Sequence, residues 1–135
     1  MSAPIEYQLE PELTVEEFVQ ILNDSTLAER RPIDDRTRLE RMLRNSDIIL
    51  TAKSAGKLVG LSRAITDFSY CTYLSDLAVS VEYQKQGIGK QLLGKTHEAA
   101  GLQTRLILLS APAAEPYYPH IGLAQHHSCW TIPPV

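Results

Sequence analysis

Cysteine is scarce. Cys71 and Cys129 are the only two in 135 residues, and their spacing fits neither a zinc cluster nor a disulfide framework. Both lie in apolar, strand-like surroundings, so they are expected as reduced core thiols of a cytoplasmic protein. Long apolar runs are missing too: none approaches the ~20 residues needed to cross a bilayer, and no basic-then-apolar leader opens the chain, so no membrane partner is expected. Strong net charge is also absent, at a formal −3, which argues against nucleic acid as a default partner. His126, His127 and Cys129 crowd together near the end, but alternation along a strand sends neighbours to opposite faces and zinc wants four ligands, so no metal is expected. Lysine and arginine are missing from the first 29 residues, which hold seven acids. A solvated helix face explains this more simply than a negative field drawing in a cationic amine.

What is present is a core-forming composition, 44% hydrophobic and 21% charged, in a length that suits one domain spanning residues 1–135. Ile5 to Leu9 alternates weakly as a first strand. Thr14 with Glu17 three residues on makes a capping box, and Val15, Phe18, Val19 and Leu22 follow at helical spacing. Arginines then dominate residues 30–44. Asp34 or Asp35 caps a second helix with Leu39, Met42 and Leu43 inward and Arg38, Arg41 and Arg44 outward, a stripe expected to be plain surface. Ile48–Lys53 and Lys57–Thr66 are strands around a Ser54-Ala55-Gly56 turn. A third strand follows and ends near Ser80.

The most informative stretch is Asp76 to Leu93. Leu77, Ala78 and Val79 end an apolar strand, and a short loop through Gln84, Lys85 and Gln86 leads to Gly87, Ile88 and Gly89, which open a helix ahead of Lys90. Ile88, Leu92, Leu93 and Ala100 keep one helix face toward a sheet. Glycines at a helix N-terminus let a ligand approach free backbone N–H groups, and the helix dipole adds partial positive charge there. Flanked by Lys85 and Lys90, this is a cradle for a pyrophosphate. Gly101 can end the helix, and Arg105–Ser110 is a continuous apolar run expected to be a strand buried on both faces, pairing in parallel through a right-handed crossover. Gln125–Ile132 is expected as a last strand, stopped by Pro133 and Pro134.

Leu-Ala-Val, a spacer, then Gln-x-x-Gly-x-Gly resembles the acetyl-CoA signature of the GNAT superfamily of N-acetyltransferases. The resemblance covers most of the chain. It implies an α/β (α+β) fold with a mixed, mostly antiparallel central sheet and flanking helices, acetyl-CoA as co-substrate, and pyrophosphate binding by Gln84 to Lys90. A second motif is similar to the family's aromatic-Tyr pair, three residues, then Gly-Phe: Tyr117-Tyr118-Pro119-His120-Ile121-Gly122-Leu123, with Leu123 in place of Phe. By that alignment Tyr118 takes the position beside the CoA sulfur, as a catalytic acid. Backbone N–H groups near Leu77 to Val79 would polarise the acetyl carbonyl. Asp76, the only carboxylate on that strand, is the candidate base, with a water chain as the alternative. Two departures stand out: Ala111 replaces a common Asn, and Pro116 and Pro119 cannot both sit inside a regular helix.

Gly89-Lys-Gln-Leu-Leu-Gly94-Lys95-Thr96 also spells a Walker A string. Such a loop needs a strand directly before it and a helix starting at the lysine. Leu92 and Leu93 instead continue the apolar face begun by Ile88, so the string is expected inside a helix. The resemblance therefore implies an N-acetyltransferase acting on a small-molecule or peptide amine, with a non-catalytic acyl-CoA-binding sensor as the competing class. Retention of both Tyr118 and Asp76 favours the enzyme, and a homodimer is left open.

Overall fold

The computed structural model describes residues 3–135. Its elements follow in the order β1 (Ile5–Leu9), α1 (Val15–Asp24), α2 (Arg36–Arg44), β2 (Ile48–Ser54), β3 (Lys57–Thr66), β4 (Cys71–Val79), α3 (Ile88–Ala100), β5 (Arg105–Leu108) and α4 (Tyr117–His120). Single 3₁₀ turns occupy Leu27–Arg30, Val81–Tyr83 and Pro112–Ala114.

Local chemistry sets these boundaries. The Thr14 hydroxyl accepts from the Glu17 N–H at 3.1 Å while the Glu17 carboxylate accepts from the Thr14 N–H at 3.3 Å, closing the capping box that starts α1. The Asp35 carboxylate accepts from the Arg38 N–H at 3.0 Å and starts α2. Between β2 and β3, Ala55 and Gly56 both take positive φ, as a tight two-residue hairpin requires. Between β3 and β4 the Asp67 carboxylate collects the N–H groups of Ser69, Tyr70 and Cys71 at 2.8–3.1 Å, which holds its pKa down at about 2.

The sheet is mixed, in the order β1-β2-β3-β4-β5, antiparallel except for the parallel pair β4–β5. One layer packs α1 and α2, through Phe18, Ile21, Leu22, Leu39 and Leu43, onto Ile49, Leu61 and Ala78. The other packs Ile88, Leu92 and Ala100 of α3 onto Leu50, Ala52, Val59 and Leu74. Gly60 makes this second contact close: a Cβ there would lie 2.9 Å from Leu92 Cδ1 and 3.2 Å from Ile88 Cγ2. In β4 the register jumps from Leu74, opposite Ala64, to Asp76, opposite Arg63, so Ser75 is a bulge residue. The extra residue inverts the alternation. Leu74 faces α3, whereas Asp76 and Ala78 face the α1–α2 layer.

The two oppositely charged stretches meet each other. Glu16 pairs with Arg36 at 2.5 Å, and Glu12 with Arg44 at 3.5 Å. Part of the acidic excess thus serves internal pairing across the helical layer.

Three sequence expectations need correction. β5 is only four residues long and alternates in exposure, with Ile107 45% exposed, because α3 covers one of its faces and, among the described residues, no strand lies beyond it. Gln125–Ile132 forms no strand: His126, His127 and Ser128 give an alternating segment no apolar side to bury, and Trp130 and Ile132 stand exposed. Cys71 and Cys129 are exposed free thiols, since Cys71 sits on the uncovered face of β4 and Cys129 lies in that unpaired tail. Among the described residues no helix is long and apolar enough to cross a membrane, and no group of three His, Cys, Asp or Glu side chains is placed to hold a metal.

Candidate acyl-CoA site

β4 parts from its neighbour halfway along. The β4–β5 ladder runs from Cys71 opposite Arg105 to Leu74 opposite Leu108 and stops, while β3 stays paired with β4 as far as Val79. Ser75 to Val79 therefore have a strand neighbour on one side only. The Ser80 N–H bonds the Val59 carbonyl at 2.9 Å. Strand alternation then points the N–H groups of Leu77 and Val79 the other way, into the gap. Ala78, named with them in the sequence, faces its N–H to β3. The Val79 carbonyl accepts from Gln84 Nε2 at 3.1 Å, which ties the following loop back to the strand.

That loop ends beside the gap. Lys85 (φ 64°) and Gly87 (φ 84°) are both left-handed, a conformation that suits Gly87 and that Lys85 adopts at a cost of about 1–2 kcal/mol. Gly87 is the residue preceding α3, and no side chain caps the helix. Helix geometry leaves the first N–H groups of α3 without carbonyl partners. A Cβ at Gly87 would meet nothing within 4 Å, so the approach is open. Gln84, Lys85, Gln86 and Lys90 are exposed around it, whereas Ile88 and Gly89 are buried. The arrangement fits a pyrophosphate: uncapped donors, a helix dipole and two flanking ammonium groups.

Tyr117 reaches this helix terminus. The Tyr117 hydroxyl lies 2.7 Å from the position of a Cβ on Gly89, and burial raises its pKa above 10.0, opposed in part by the Lys90 backbone N–H. The sequence motif marked Tyr117 only as the aromatic preceding Tyr118. The missed signal was Gly89 itself, a helical glycine whose bareness leaves room for an aromatic. Tyr118 is half-buried, its ring edge-on to Tyr117 with centroids 5.4 Å apart. Burial first, and then Tyr117, push its hydroxyl pKa above 10.0. Pro116 precedes the single turn of α4, and Pro119 falls in its first turn, where a missing N–H costs no hydrogen bond.

Asp76 is no free base. It is fully buried, with Oδ1 accepting from Arg31 Nε at 2.6 Å and Oδ2 from Arg63 Nε at 2.5 Å. Both of its oxygens are thus taken up by guanidiniums on the α1–α2 side of the sheet. The bulge at Ser75 turned it there, and no periodicity argument could have shown that. The Walker-like string is helix interior: Thr96 is buried and donates its hydroxyl to the Leu92 carbonyl at 2.6 Å.

Residues 11–128 match the family described as the acetyltransferase (GNAT) domain. The chain belongs to the GNAT acetyltransferase family. As a GNAT enzyme it is an acetyl-CoA-dependent N-acetyltransferase. Solved structures share the fold at low identity. A probable acetyltransferase from meticillin-resistant Staphylococcus aureus superposes with TM-score 0.77 at 18% identity, over 98% of both chains. A GNAT family protein from Streptococcus pneumoniae TIGR4 gives 0.73 at 20% identity, also over 98% of both. An aminoglycoside N-acetyltransferase in complex with CoA gives 0.75 at 13% identity, over 99% of this chain and 97% of that one.

Proposed function

We propose that this GNAT enzyme acetylates a primary amine of a small molecule by direct attack within a ternary complex. The observation carrying this is the β4–β5 gap, toward which the N–H groups of Leu77 and Val79 point, together with the uncapped terminus of α3. Gly87, Ile88, Gly89 and Lys90 would hold the pyrophosphate of acetyl-CoA through the backbone, with Gln84, Lys85 and Gln86 around it. Leu77 or Val79 would donate to the acetyl oxygen as it gains charge, an interaction stronger in the transition state than in the ground state. The amine nitrogen forms the new bond to the carbonyl carbon, the carbon–sulfur bond breaks, and the thiolate takes up a proton. Tyr118 suits that last step, because a phenol held above 10.0 stays protonated at neutral pH. With Asp76 bound to two arginines, water is left to carry away the amine proton.

A small-molecule acceptor is favoured by analogy with the aminoglycoside N-acetyltransferase of the same fold. The test is release of free CoA thiol from acetyl-CoA across a panel of aminoglycosides, amino acids, polyamines and peptides. Turnover confined to one small-amine class supports the proposal. Turnover with peptides alone would overturn the acceptor class, and acetyl-CoA binding without release by any amine would favour a sensor.

A further inference from the structure

Ser75, the bulge residue of β4, has lost its place in the ladder, yet its carbonyl and hydroxyl are both satisfied. Its carbonyl accepts from Arg31 Nη2 at 2.8 Å, and its hydroxyl accepts from Arg63 Nη2 at 3.0 Å. The same two guanidiniums bracket the Asp76 carboxylate. Arg63 is held in place from behind, with Nη1 donating to Ser46 Oγ at 3.2 Å and its guanidinium 5.9 Å above the Phe18 ring. Arg31 comes from elsewhere: it follows the 3₁₀ turn Leu27–Arg30 that links α1 toward α2, and its side chain stays 20% exposed. One arginine fork thus grips two successive residues of β4, the pair immediately before Leu77.

We propose that Arg31 is a positioning residue for acetyl transfer, holding the Ser75 bulge in the register that aims the Leu77 and Val79 N–H groups into the β4–β5 gap. This rests on the reaction proposed above. Without the bulge, every side chain from Asp76 onward would change face and every N–H would change edge. Leu77 and Val79 would then spend their donors on β3. Arg63 and Asp76 alone leave the Ser75 carbonyl unclaimed, so the bulge depends on the fork. Lysine keeps the charge but lacks the planar geometry that reaches Asp76 Oδ1 and Ser75 O together.

Arg31→Ala and Arg31→Lys are compared with the wild type by steady-state kinetics and by amide hydrogen exchange. With Ala, kcat is expected to fall about ten-fold or more, in line with misaimed oxyanion donors, while the acetyl-CoA KM stays within about three-fold. Lys should fall between Ala and wild type. Exchange should accelerate at Asp76 and Ala78, whose amides pair with β3, and stay unchanged in β1 and β2. Wild-type kcat in both variants, or exchange accelerated evenly across the sheet, would overturn the positioning role. If the wild type itself turns over no amine, the reaction proposal has failed, and the exchange pattern alone still decides whether Arg31 holds the bulge.

Discussion

The Tyr117 hydroxyl stands 2.7 Å from the place where a methyl on Gly89 would be, pressed against the first turn of α3. Two groups therefore compete for one small volume at the N-terminal end of the helix. Gly89→Ala should leave stability nearly unchanged, since about 1 kcal/mol gained in helix propensity offsets moving the tip of one side chain. Acetyl-CoA affinity should fall about ten-fold as the displaced ring narrows the approach to the backbone N–H groups, an expectation tied to the close approach that bare glycine permits. Calorimetry on the single variant and on Gly89→Ala with Tyr117→Phe checks this. An unchanged Kd in the single variant would place the pyrophosphate elsewhere.

Tyr118→Phe should lower kcat with little change in the acetyl-CoA KM, because a general acid acts in the transition state. Such groups contribute ~10²–10⁴-fold, and water as a substitute donor pulls the effect toward the low end. Tyr117→Phe should do the reverse and raise KM more than it lowers kcat. Because burial pushes the Tyr118 hydroxyl up from its ordinary value, its ionisation gives no fall in kcat near neutral pH. Equal and opposite results for the pair would mean that their roles are exchanged.

ATP with magnesium should produce no thermal shift, because Gly94, Lys95 and Thr96 lie within α3 and Thr96 is buried. Acetyl-CoA should raise Tm through linkage, by an amount that grows with its concentration above Kd. Differential scanning fluorimetry separates the two ligands in one experiment. Stabilisation by ATP alone would contradict the anion site at Gly87.

Asp67 is fully solvent-exposed, yet three backbone N–H groups hold its pKa at about 2 against an ordinary 3.8. A depressed carboxylate stabilises the fold fully above its unfolded value and loses that contribution as pH falls through the folded one. Asp67→Ala should therefore melt below the wild type at neutral pH, with the gap in Tm closing between pH 3.8 and about 2. A gap that persists at pH 2 would assign the loss to turn geometry rather than to charge.

Most of the sheet was legible from the sequence because its signals are local. The Thr14–Glu17 box, the Ala55-Gly56 turn and the spacing of Ile88, Leu92 and Ala100 each act within a few residues. The uncapped start of α3 was legible for the same reason, since Gln84 to Lys90 is one continuous stretch.

What escaped depends on partners far along the chain. An apolar run such as Arg105–Ser110 looks alike at a sheet centre and at an edge, and only the neighbouring strands decide. Asp76 looked like a base because it shares a strand with Leu77. A one-residue bulge put it on the opposite face, beside Arg31, 45 positions earlier, and Arg63. The outward arginine stripe likewise concealed that Arg31 belongs to a different group from Arg38 and Arg41.

Gly60 lies in the middle of the sheet, under α3 rather than beside the gap. Its missing methyl works as a depth setting: it decides how far Leu92 and Ile88 sink, and so the height of the first turn of α3 above the sheet. A side chain there would lift the helix like a shim. The start of α3 is therefore set from the sheet directly beneath it, and a search for altered acyl-carrier preference has a reason to include a position buried under the helix.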